Sequence, residues 1–188
     1  WAVDGQQRCY IYRELAVSGL TYTQAAKAVI DANAGDNYSY IVASPDIWNR
    51  QRESGESGFE LMIRSGLRSL IRANNSRVPG WRVLKEYLLP FEDEFGAMRA
   101  KLAIFSNCAE LIRCLPLLQF DKNNPEDVSG NPHDITHGPE ALRYGIMSRP
   151  QAGISPVFPS PDPFSLYEAK CEGVTGEISD EYIYYGME

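Results

Sequence analysis

Apolar and polar positions change period repeatedly along residues 1–150, and each change marks an element. Trp1-Ala2-Val3, the pair Asp4-Gly5 and the aromatic run "CYIYREL" predict a β-hairpin with its turn at Asp4-Gly5. "TYTQAAKAVIDAN" follows, with a threonine cap and Ala25, Ala26, Val29 and Ile30 on one face, which predicts a helix. "YSYIVASPDIW" predicts a short buried strand ending at Ser44-Pro45, where proline can no longer extend a central ladder. "ESGESGFELMIRSGL" predicts a loop and a short helix closed by Gly66, and "LRSLIRANN" a further strand.

Helix spacing returns in "PGWRVLKEYLLP", begun near Pro79 and stopped at Pro90. "KLAIFS" predicts a strand, "NCAELIRCLPLLQF" a helix, "DKNNPEDVSGNPHDITH" a long polar loop and "GPEALRYGIMS" a last helix. A hairpin followed by alternating helices and strands implies a mixed sheet covered by helices. From Arg149 onward the proline-rich "RPQAGISPVFPSPDPF" and the acidic "CEGVTGEISDEYIYYGME" read as a tail, so the expected division is 1–150 and 151–188.

The chain of 188 residues, 44% apolar, suits one domain with a real core. Its longest apolar runs are too short to span a bilayer, and no basic-then-apolar leader opens it, so neither membrane insertion nor export is expected. Cys9, Cys108, Cys114 and Cys171 lack metal-type spacing and are expected as reduced thiols in a cytosolic compartment. A net charge of −7 argues against coating nucleic acid everywhere, while leaving room for local DNA contact and for cations held by carboxylates. There is no GxxxxGK[ST], hence no P-loop ATPase within this sequence, and no GxSxG elbow for a nucleophilic triad.

Three places carry candidate chemistry. Asp46 leaves the carboxyl end of a buried strand, where open α/β sheets bind ligands; a turn aspartate after proline is the plain alternative. Both histidines, His133 and His137, fall in one segment with Asp134 and Glu140. Glu140 alone suits a helix start and His137 a cap, but His137-x-x-Glu140 can turn imidazole and carboxylate toward one point. Oxygen-rich donors with one imidazole suit Mg²⁺ or Mn²⁺ better than structural zinc. The run "RSLIRANNSRVPGWRVLKE" is either a solvated charged face or a surface that follows phosphates.

The blocks "YIYREL", "SPDIWN", "NSRVPGW", "AELIRCLPLLQFDKNNPEDV" and "THGPEALRYGIMSRP" resemble, in this order, the C-terminal nuclease domain of tailed-bacteriophage terminase large subunits. The likeness covers roughly residues 1–150, and its last two blocks are the most specific. It implies an RNase H-like fold: a five-stranded mixed sheet flanked by helices, whose acidic residues hold two divalent cations, Mg²⁺ or Mn²⁺, on a DNA phosphate. The resemblance carries Asp46, His137 and Glu140 over as catalytic, metal-holding residues, with Asp134 a further ligand on the approach. Glu14 of "YREL" falls on a recurrent position expected to be structural. Arg72, Arg77, Arg82 and Lys85 are expected on the phosphate backbone.

The chain departs from that pattern where the first-strand aspartate is expected, since Trp1-Ala2-Val3 resembles the end of the second strand and Asp4 belongs to the hairpin turn. Glutamate stands at 140 where many relatives carry aspartate, and Thr136 where many carry an acid. The fold is thus expected to lack its first strand. The implied activity is metal-dependent endonucleolytic cutting of concatemeric genomes during packaging. Implied partners are double-stranded DNA, a portal protein, a small terminase subunit and an ATPase domain of the same protein, in the host cytoplasm and transiently at the procapsid portal. Two rivals stay open: another RNase H-like nuclease, such as a resolvase or transposase core, and a non-catalytic module of the same fold that docks motor to portal. The loop Asp121 to Pro132 is expected to gate the site.

Overall fold

A computed structural model of the chain describes residues 1–33, 35–52 and 54–150. Two of its strands open the fold: β1 (Ala2–Val3) runs antiparallel to β2 (Cys9–Ile11), with Ala2 opposite Tyr10. Asp4 organises the turn between them. Its carboxylate accepts from the Gln6 and Arg8 amides at 2.9 Å each, from Arg8 Nε at 2.7 Å and from the Tyr10 hydroxyl at 3.0 Å. The Arg8 amide, with the Arg8 and Tyr10 side chains, holds the Asp4 carboxyl down at about 2.

Helix α1 (Tyr22–Ala32) starts at Thr21 with a full capping box, Thr21 and Gln24 satisfying each other's backbone amides. Strand β3 (Ile41–Ala43) follows and gives way at Pro45 to a 3₁₀ turn, Pro45–Trp48. Helix α2 (Gly58–Arg64) repeats the capping box with Ser57 and Glu60. Gly58 lies under the Tyr22 ring, where an added Cβ would come within 2.6 Å of ring carbons. Strand β4 (Leu70–Arg72) pairs in parallel with β3, Ala43 opposite Arg72.

Helix α3 (Arg77–Leu88) begins two residues before the expected Pro79, because proline in a first turn gives up an amide that has no intrahelical partner anyway. It buries Trp81, Leu84 and Tyr87, a run at helical spacing. Beyond Pro90 the chain forms a small antiparallel arm, β5 (Phe91–Glu92) with β6 (Met98–Arg99), that the apolar pattern did not foretell. Strand β7 (Leu102–Ile104) then pairs in parallel with β2. Helix α4 (Ala109–Cys114) stops earlier than expected, tightening into a 3₁₀ turn around Pro116. Helix α5 (His133–Met147) closes the described chain and includes Pro139 within it. It starts five residues ahead of the expected Gly138, so both histidines stand on helix instead of loop.

The protein is therefore mixed α/β with five α-helices among its described residues. The single sheet expected from the alternation is instead three small ones, in the orders β1-β2-β7, β3-β4 and β5-β6. The core divides in the same way. One cluster buries Cys9, Trp81, Leu84, Tyr87, Leu102, Cys108, Leu111, Leu142 and Ile146 between the first sheet and α3, α4 and α5. The other buries Ala26, Leu67 and Leu70 between the second sheet and α1 and α2.

Among the described residues no hydrogen-bond ladder joins β1 to β3, and every residue of β3 is only half-buried. The two sheets nonetheless meet at one end. Trp1, just ahead of β1, packs edge-on against Tyr40, just ahead of β3, with ring centroids 6.3 Å apart. The Tyr40 hydroxyl donates to the Ser148 carbonyl at 2.7 Å, and Trp1 lies over Gly145 of α5. Among the described residues no helix is long and apolar enough to cross a membrane. The expected tail, 151–188, lies outside the described residues.

Candidate functional site

Strands β3 and β4 end side by side, so the chains leaving them emerge from one edge. From β3 comes Ser44-Pro45-Asp46; from β4 come Asn74, Asn75 and Ser76. Helix α5 is tied to that edge through Asn75, whose side-chain oxygen accepts from Arg143 Nη2 at 3.1 Å and from the Tyr144 hydroxyl at 3.2 Å.

Arg143 is fully buried. Burying a guanidinium requires that its donors be met. Its Nε and Nη2 donate to Glu140 Oε2, at 2.8 Å for Nε, and Nη1 reaches the Ser76 carbonyl at 3.3 Å. The flat group also lies over the rings of Trp81 and Tyr144, 5.4 and 4.6 Å from their centroids. Gly80 makes the room: an added Cβ would stand 2.9 Å from Arg143 Cγ and Cδ, within the side chain's space.

Glu140 lies one turn before Arg143 on the same helical face, the spacing at which opposite charges pair. Its second oxygen accepts a short hydrogen bond from Arg77 Nη1. Arg77 is itself held three further ways. Nε donates to both oxygens of Asp127 at 3.2 and 3.0 Å, and Nη2 to the Val128 carbonyl at 2.8 Å. Burial pushes the Asp127 carboxyl up, but the Arg77 guanidinium and the Val128 amide outweigh it and leave it below the ordinary carboxylate range. Burial likewise works against the Arg77 charge, and Asp127 and Glu140 together more than restore it.

The loop that supplies Asp127 is well bonded. Asp121 accepts from the Asn123 and Asn124 amides at 2.8 and 3.0 Å, Asn124 from the Glu126 amide at 3.3 Å, and Phe120 bridges to Val128. Its Glu126 pairs with Arg82 of α3.

Sequence blocks far apart thus meet around the Arg77–Glu140–Arg143 cluster: Asn75, Ser76, Arg77, Gly80 and Trp81 of "NSRVPGW", Asp127 and Val128 of "NPEDV", and Glu140, Arg143 and Tyr144 of "EALRYG". The reading of candidate chemistry passed over Asp127 and Arg143. An opposite charge three residues after Glu140 was a signal for Arg143; nothing local pointed to Asp127.

The other candidates stand apart from this hub. Asp46 is exposed in the first turn of the 3₁₀ segment, its carboxylate accepting from the Ser44 hydroxyl at 3.3 Å. His137 is exposed, its ring stacked on that of His133 with centroids 5.8 Å apart. Asp134 is exposed too, and its backbone carbonyl, not its carboxylate, faces Cys114. Glu14 is structural: its carboxylate accepts from the Glu110 and Leu111 amides at 2.9 and 2.7 Å. It thereby caps α4, whose own Cys108 makes no side-chain cap bond.

Among the described residues no three His, Cys, Asp or Glu side chains come together so as to hold a metal ion. In this arrangement both oxygens of Glu140 are taken by the guanidinium groups of Arg77 and Arg143. Of the expected phosphate contacts, Arg77 is engaged by carboxylates and Arg82 by Glu126, while Arg72 lies over the Trp48 ring, 5.2 Å from its centroid. Lys85 is exposed on α3. No family model, no curated protein and no solved structure matches the chain.

Proposed function

We propose that this chain is the nuclease domain of a tailed-phage terminase large subunit, a metal-dependent endonuclease that cuts concatemeric DNA during packaging. The observation that carries the reading is the convergence around Glu140 of three of the five sequence blocks on which the resemblance rests, at the edge from which Asp46 also departs. A second support is the divided sheet. An RNase H-like order would place one further strand between β1 and β3, and each of those is an edge strand of its sheet among the described residues.

On this reading Asp46 is the carboxylate supplied by the sheet and Glu140 the one supplied by the closing helix, with His137 one turn before it. Arg72 and Lys85 offer cationic contacts to a DNA backbone, and Arg77 and Arg82 offer two more that carboxylates now cover. Mg²⁺ or Mn²⁺, the portal protein, the small terminase subunit and the ATPase domain belong to the proposal on the resemblance alone.

The engagement of Glu140 by Arg77 and Arg143 favours one rival, the non-catalytic module that keeps the fold and docks motor to portal. A plasmid-nicking assay with Mn²⁺, on the full-length protein that contains this chain, separates the two. A nuclease is expected to nick, and Asp46→Ala to abolish nicking without lowering the melting temperature. Nicking that survives Asp46→Ala removes the site assignment, and a folded wild-type protein that never nicks supports the docking module.

A further inference from the structure

Two arginines of α3 are covered by two adjacent carboxylates of one loop. Arg77 holds Asp127, and Arg82, five residues along the helix, holds Glu126. In a chain of net charge −7, α3 carries three cations, Arg77, Arg82 and Lys85, and this loop takes two of them. Its shape is maintained for the purpose by the Asp121 and Asn124 turns and by the amide of Ser129, which donates to the Gln119 carbonyl at 2.8 Å. We propose that Glu126-Asp127 is an anionic cover on the arginines that receive the DNA backbone, displaced charge for charge when phosphates dock. The inference rests on the DNA-binding reading above and adds its regulation.

The two pairs differ in how readily they yield. The side chains of Arg82 and Glu126 are 62% and 64% exposed, and water screens an ion pair so wet. It opens first and offers an incoming strand its first cation. Arg77 is held at four acceptors, two on Asp127, one on Val128 and one on Glu140, and is half-buried. It exchanges only when a phosphate replaces what it leaves. That order makes exposure of Glu140 follow DNA docking, since the arginine released from Asp127 is the one that also covers Glu140. Arg143 remains on Glu140 throughout, so the carboxylate is never left as a bare buried charge.

The test is fluorescence anisotropy of a labelled short DNA duplex against the full chain over a salt series, with melting curves as a folding control. Glu126→Gln, at an exposed position, is expected to tighten binding about 2–5-fold at low salt. Glu126→Gln with Asp127→Asn is expected to tighten it about tenfold. Arg77→Gln with Arg82→Gln is expected to weaken binding and flatten the log–log salt slope by about 2. If the arginine variants weaken binding and the folded carboxylate variants leave it unchanged, the cover is wrong and the DNA reading stands. If the arginine variants bind like wild type, the arginines are not phosphate sites and the proposal falls. Absence of binding by every folded variant overturns both the cover and the DNA reading.

Discussion

The half of the protein around β2 and β7 buries an apolar cluster of nine residues and, beside it, the Arg143 guanidinium; the half around β3 and β4 buries an apolar cluster of three. The first is held by charge and directional hydrogen bonds through Arg77, Glu140 and Arg143. The second is held by small apolar contacts and two local capping boxes. The contrast teaches where each kind of force is used. Precise polar geometry is concentrated where α3, α5 and the Asp121–Pro132 loop meet. The half that presents Asp46 relies on a smaller apolar cluster.

The largest expected effect falls on the polar half. Glu140→Ala leaves a fully buried Arg143 without its carboxylate, and denaturant unfolding is expected to show a loss of about 3–5 kcal/mol. A loss below about 1 kcal/mol would mean that Arg143 finds water or another partner. Leu67→Ala strikes the thin core instead and is expected to cost about 2–4 kcal/mol. Hydrogen exchange should then speed up in β3, β4, α1 and α2 ahead of α3 and α5; uniform acceleration would show one cooperative unit instead of two.

Gly80→Ala sharpens the comparison at finer scale. The new methyl collides with the stem of Arg143 and is expected to cost about 1–3 kcal/mol. In a Glu140→Ala background, where Arg143 is already unanchored, the same substitution is expected to cost measurably less, and an unchanged cost would place the strain elsewhere. The smallest effect is acid loosening of the β1–β2 turn. Asp4 is depressed from the ordinary aspartate value to about 2, so its contribution is complete above about pH 4 and disappears as pH falls toward 2. Amide exchange or chemical shifts of residues 4–10 should move over that window and stay constant in Asp4→Asn.

The halves also differ in how far they could be read in advance. The hairpin, α1, α2, β3, β4 and β7 were legible because each is marked by its own neighbours, as in Thr21 with Gln24 or Ser44 with Pro45. Helix α5 was placed five residues late because Pro139 reads as a boundary, whereas in this helix it is accommodated with Thr136 and Leu142 buried around it. The arm β5–β6 was missed because "FEDEFGAMRA" has neither buried alternation nor a two-residue turn signal. Its shape comes from Asp93, which accepts from the Phe95 and Ala97 amides at 3.0 and 2.8 Å and from Arg99 Nε at 2.6 Å. The carboxylates fared unevenly. Glu14 was anticipated as structural. The engagement of Glu140 by Arg77, sixty-three residues earlier, is a property of the assembled fold that no local period encodes.

The central claim is that Glu140 is the charged hub through which α3, the Asp121–Pro132 loop and α5 are joined. A double-mutant cycle of Arg77→Met and Glu140→Gln, followed by equilibrium unfolding, measures it directly. The account predicts a coupling on the order of 1–3 kcal/mol between the two sites; effects that add to within about 0.5 kcal/mol would contradict it.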